Sequence, residues 1–145
     1  MDPRTLVNRE RVEAAQTFLS KFRADGFDVQ GAMWAVTEDE PQPALYLVSA
    51  EVDRQGPLQA YANLREALTT FQANLSDPFR KLDYQEFKLL SPRRPLASEL
   101  LHILARYPDD QPTYHTSLNR GVPVLAAYVY PASLFAPPPV APAPA

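Results

Sequence analysis

The sequence predicts a small α/β domain of the α+β kind. It is expected to have two layers, the element order αββαβαββ, and a mixed five-stranded sheet with helices packed mainly on one face. Three observations predict this. Segments with an apolar repeat of three and four residues alternate with shorter apolar runs. Prolines and glycines fall at the joints between them. The 145 residues, 46% hydrophobic and 21% charged, match one globular domain with a core of its own. There is no cysteine, which excludes disulfides, thiolate metal sites and cysteine nucleophiles.

Residues 3–25 read as the first helix. Asp2 is the expected cap, Pro3 suits the first turn, and Val12, Ala15, Phe18, Leu19 and Phe22 form one stripe. Gly26 is expected to stop it in a left-handed conformation. Residues 27–36 and 44–52 read as two strands around the polar loop Thr37–Pro43, which makes an antiparallel hairpin. Gly56-Pro57 opens a helix over 57–75, with Tyr61, Leu64, Leu68, Phe71 and Leu75 on one side. Residues 84–90 alternate like a strand. Ser91-Pro92 starts a helix to about Arg106, with Leu96, Leu100, Ile103, Leu104 and Tyr107 as its buried stripe.

Residues 113–118 and 122–130 form a closing hairpin through Asn119-Arg120-Gly121. Pro123 puts part of its last strand at an edge. The domain is therefore expected over 1–130. Residues 131–145 hold six prolines and read as a flexible tail that favours extended conformations.

If each strand–helix–strand unit is a parallel, right-handed crossover, the helices after the second and third strands share a face. Their launch points then share one edge of the sheet. That edge gathers Asp53, Arg54, Ser91, Arg93 and Arg94 beside two helix starts, where free N–H groups favour an anion. Arg54, Ser91, Arg93 and Arg94 are the candidate phosphate or carboxylate site. The plainer use of Ser91 is as a helix cap, of the arginines as solvated loop residues, and of Asp53 as an acceptor that fixes the Gly56-Pro57 turn.

Glu86-Phe87-Lys88 is the pattern nearest to catalysis. Magnesium-dependent nucleases of the restriction-endonuclease type carry Glu-x-Lys on a strand, where carboxylates hold the metal and the lysine supports the attacking water. Glu51 or Asp53 is the required second carboxylate. The tripeptide also suits a solvated strand face, and here it follows a helix rather than opening a meander.

His102 and His115 lack metal-ligand spacing, and His102 falls on the exposed side of its helix. Ser91 and Ser117 show no nucleophile elbow. The four glycines form neither a dinucleotide fingerprint nor a phosphate loop. No cofactor is expected. Trp34 and Tyr46 serve a core or stack a base.

The net charge of −3 disfavours nucleic acid, although Arg80-Lys81, Lys88 and Arg93-Arg94 form a local basic cluster. No run spans a bilayer and no leader pattern opens the chain. A cytoplasmic location is expected. The first reading is a non-enzymatic accessory domain that meets a protein partner or a second copy of itself. The rivals are an anion sensor and a metal-dependent nuclease-like enzyme.

The runs Ser49-Ala50-Glu51-Val52-Asp53-Arg54-Gln55-Gly56-Pro57, Phe87-Lys88-Leu89-Leu90-Ser91-Pro92-Arg93-Arg94-Pro95-Leu96 and Ala127-Tyr128-Val129-Tyr130 resemble a group of uncharacterised small bacterial proteins. The likeness covers about residues 10–130. It implies a single bacterial, cytosolic domain and carries no activity or site.

Overall fold

The computed structural model describes residues 8–38, 42–73, 81–107, 111–118 and 124–135, with 116–118 by backbone alone. The proposed Asp2 cap, the acidic loop tip at 39–40, Arg80, the 119–121 turn, Pro123 and the chain from 136 lie outside these residues.

Helix α1 spans Arg9–Ala24 and starts at Asn8, whose side chain accepts from the Arg11 N–H at 2.8 Å. Its end follows from Gly26, which sits at φ +103°. The Gly26 N–H donates to Arg23 O and the Phe27 N–H to Phe22 O, two bonds that close the last turn. Phe27 and Phe22 then stack with centroids 4.1 Å apart, so the stop also delivers an aromatic contact to the core.

Strands β1 (Gly31–Thr37) and β2 (Ala44–Val48) form the expected antiparallel hairpin. The chain does not extend to residue 52 as strand. A short helix, α2 (Glu51–Gln55), follows and joins α3 (Pro57–Gln72) through Gly56. A 3₁₀ turn at Tyr84–Glu86 precedes β3 (Phe87–Leu90). Gln72 holds this return segment by accepting from Leu82 N at 2.5 Å and donating to Leu82 O at 2.9 Å. Helix α4 (Pro95–Arg106) leads to β4 (Thr113–Leu118) and β5 (Val124–Val129), with a second 3₁₀ turn at Ala132–Phe135.

The sheet is mixed and five-stranded, in the order β3-β2-β1-β5-β4, as the sequence predicts for an α+β domain. Only the β2–β3 pair is parallel. Because β1 pairs antiparallel with both β2 and β5, and β4 antiparallel with β5, β4 runs opposite to β3. The connection through α4 is therefore not a parallel crossover, and α4 does not share a face with α3.

Helices α1 and α3 cover the face of Trp34, Leu45, Leu47, Phe87 and Leu89. Helix α4 covers the other, against Met33, Tyr46, Val48 and Val129. This adds a layer that the two-layer expectation lacked. It also explains why every residue of β1 and β2 is buried, since both faces are roofed. Tyr107, expected in the α4 stripe, lies beyond the helix and is exposed.

The sequence places a tail from residue 131, but packing continues to Phe135. Leu134 and Phe135 lie against the core, and Arg23 donates to the carbonyls of both.

Gly56 has φ +88° and ψ 153°, a region open essentially to glycine alone, and a Cβ there would meet nothing within 4 Å. The cost of Gly56→Ala is thus purely conformational. It is expected to be about 1–3 kcal/mol, read as a lower urea midpoint with an unchanged slope.

Candidate functional site

Two regions hold the candidate residues. The first is the rim beyond the C-terminal ends of β2 and β3. These strands are parallel neighbours, and Ser49 N donates to Leu90 O at 2.9 Å, so the chain leaves both at one edge. Ser91 Oγ donates to Asp53 Oδ2 at 2.7 Å and accepts from Arg93 N at 3.2 Å. Ser91 thus fixes a turn whose carbonyl accepts from Arg94 N at 3.0 Å. It does not cap α4, where Arg94 occupies the cap position without a side-chain bond.

Asp53 spends its carboxylate on Ser91. Arg54 turns to Glu51 at 2.5 Å, while Arg93 and Arg94 are exposed. Asp53 and Ser91 meet as the topology requires, but they bring a carboxylate to the centre of the proposed anion site.

Glu86 is not in a strand. It closes the 3₁₀ turn, where Asp83 accepts from Gln85 N and Glu86 Oε1 accepts from Asp83 N at 3.3 Å. Its carboxylate also pairs with Arg11. Glu86 lies before β3, whereas Glu51 and Asp53 lie after the parallel β2. The four-residue length of β3 therefore separates the nuclease candidates at opposite ends, with half-buried Lys88 between them. Among the described residues no group of three metal-binding side chains occurs.

Trp34 and Tyr46 are core residues, and the Trp34 ring lies under the Arg11 guanidinium at 5.4 Å. His102 is exposed as expected. His115 stands 3.1 Å from Thr113 Oγ1, and burial pushes its pKa below the usual imidazole value against the opposing pull of Glu99.

The second region is the β4 edge. From it a chain of rings runs inward: Tyr114 meets Tyr128 at 5.1 Å, and Tyr128 meets Tyr130 at 5.2 Å. Burial, and next the neighbouring Tyr114, push the Tyr128 hydroxyl up to about 12. Tyr130 is fully buried. Its hydroxyl accepts from Trp34 Nε1 at 3.0 Å and donates to Val12 O at 2.7 Å.

At the outer end of this chain Tyr114 is 43% exposed. Leu125, at the irregularity where β5 meets the end of β1, is 47% exposed, and Tyr107 is 41% exposed. The sequence analysis does not single out Tyr114 or Leu125, and it places Tyr107 in a buried stripe. The one signal for Tyr114 is that Thr113–Leu118 carries no Lys, Arg, Asp, Glu or Pro.

These features define an α+β domain with a mixed sheet and helices on both faces. No protein-family model, curated protein or solved structure matches the chain. No helix among the described residues is long and apolar enough to cross a membrane.

Proposed function

We propose that the chain is a non-enzymatic, cytoplasmic interaction domain that binds by strand addition along β4. The observation that carries this reading is the contrast between the two sheet edges. The β3 edge is four residues long, carries Lys88, and has its Leu89 N–H bonded to Tyr61 Oη at 2.9 Å. Such shortening, charge and cover are how proteins blunt an edge.

The β4 edge has six residues, no charge and no proline, and exposed Tyr114 and Leu125 nearby. An extended strand laid along it gains main-chain bonds, and the side chains set specificity. The partner that fits is a second copy of this chain. Antiparallel self-pairing sets one uncharged strand against another, with no like charges opposed.

Light scattering on a size-exclusion column tests this. A dimer is expected for the intact chain, and for Tyr114→Lys a monomer that keeps a cooperative thermal transition, lowered by the lost association and the lost ring contact to Tyr128. A monomer at every concentration, or a dimer indifferent to a lysine at 114, would remove the reading.

A further inference from the structure

Two adjoining open cavities of about 400 and 270 Å³ lie between the C-terminal half of α1 and the α2–α3 pair, and a third of about 540 Å³ continues past Gly26 between the segment at 26–30, Arg54 and Phe135. Phe22, Asp25, Asn63 and Ala67 line both the first and the second. Gly26 and Phe27 line both the second and the third. They form one furrow, distinct from the β4 edge.

The middle of the furrow contains Glu51, which is 4% exposed and the one charged residue among the buried polar residues described. Its Oε1 accepts from Arg54 Nη1 at 2.5 Å and its Oε2 from Gln55 Nε2. Gln55 Oε1 accepts from Asn63 Nδ2 at 2.6 Å, and Asn63 Oδ1 from Gln59 Nε2 at 3.0 Å. The pair is lopsided: the Glu51 side chain is 6% exposed and that of Arg54 68%, so the carboxylate bears the desolvation while the guanidinium stays in water. Glu51 stands just past the carboxyl end of β2, in the short helix that leads to α3.

Charge is divided along the furrow. Its middle section is lined by Asp25 and Glu51 and by no cation. The adjoining section is lined by Arg23 and Arg54 with one carboxylate, Asp28. Asp28 Oδ2 is engaged by Ala50 N at 2.8 Å and Gln30 Nε2 at 3.0 Å. Arg23 is engaged by the Leu134 and Phe135 carbonyls, while Arg54 keeps an exposed guanidinium. The Glu51–Arg54 contact therefore sets an acidic station directly beside a basic one. The stacked Phe22 and Phe27 lie under the first, and Phe135 borders the second.

We propose that this furrow binds a small zwitterion of the α-amino acid class with an apolar side chain. Its ammonium sits with Glu51 and Asp25, its carboxylate with Arg54, and its side chain against the phenylalanines. The polar wall is already ordered by the Gln55–Asn63–Gln59 chain, so little reorganisation is needed on binding.

The test is a thermal-melt and calorimetry panel of the free amino acids on the full chain, with acetate and methylammonium as half-ligands. At least one apolar amino acid is expected to raise the melting temperature, while neither half-ligand does. Arg54→Gln is expected to weaken binding about tenfold, as for loss of a charge-assisted hydrogen bond, read by calorimetry below the variant's own melting temperature, which falls because Glu51 loses its cation. Asn63→Ala, whose side chain is half-buried, serves as a second variant should Glu51→Gln fail to fold. No amino acid shifting the melt, acetate shifting it equally, or unchanged affinity in both Arg54→Gln and Asn63→Ala overturns the proposal. Because Tyr114→Lys leaves the furrow intact, the dimer and the ligand site succeed or fail separately.

Discussion

Replacing Trp34 by alanine is expected to cost about 3–5 kcal/mol, the range for truncating a large aromatic in a core. Trp34 is 0% exposed at the centre of β1, the strand on which both halves of the sheet are built. The indole fills space under α1 and takes the Arg11 guanidinium on its face. It also donates to the hydroxyl of Tyr130, which in turn holds Val12 O. The substitution thus opens a cavity and removes a donor from a buried hydroxyl. Tyr130→Phe keeps the packing and strands two polar groups, so its cost is expected to be smaller, about 1–3 kcal/mol. Urea unfolding should show both as lower midpoints on the same slope. A loss under about 1 kcal/mol for Trp34→Ala would contradict a close-packed site of this kind.

Ending the chain at Tyr130 is expected to lower stability by about 2–3 kcal/mol relative to ending it at Phe135. The magnitude follows from half-burying two large apolar side chains, each worth about 1.5–3 kcal/mol when fully buried. Leu134 and Phe135 are half-buried against the core, and Arg23 loses the two carbonyls that order its guanidinium. For a chain of this size the difference corresponds to roughly 5–10 °C in melting temperature. Comparing the two truncations isolates residues 131–135. Equal melting temperatures would show that this turn contributes nothing.

Legibility in the sequence followed the strength of the local signal. Helices α3 and α4 were visible because Leu64 and Leu68, and Leu96, Leu100, Ile103 and Leu104, repeat at helical spacing and are all buried. Gly26 was legible because few residues accept its backbone angle.

Helix α2 was not, since Ser49-Ala50-Glu51-Val52 continues the apolar run of β2, and only tertiary packing makes Glu51 helical and buried. The turn at Tyr84–Glu86 had a sequence signal that the strand reading overlooked. Asp83 and Glu86 are spaced as a reciprocal cap. The side on which α4 docks was hidden in its own periodicity, but unbroken apolarity in β1 and β2 already implied cover on both faces.

At the candidate sites, Asp53 and Ser91 lie far apart in sequence and meet because β2 and β3 pair in parallel. The furrow unites residues of α1, α2 and α3 with Phe135, and no spacing along the chain marks such a set.

The position of β5 has a consequence for how the molecule assembles. It lies between β1 and β4, and Met33 pairs with Val129. Joining them closes most of the chain into a loop, an entropic debt settled before that half of the sheet rewards it. As the nascent chain leaves the ribosome, one side of β1 therefore waits with open backbone groups until the final strand arrives.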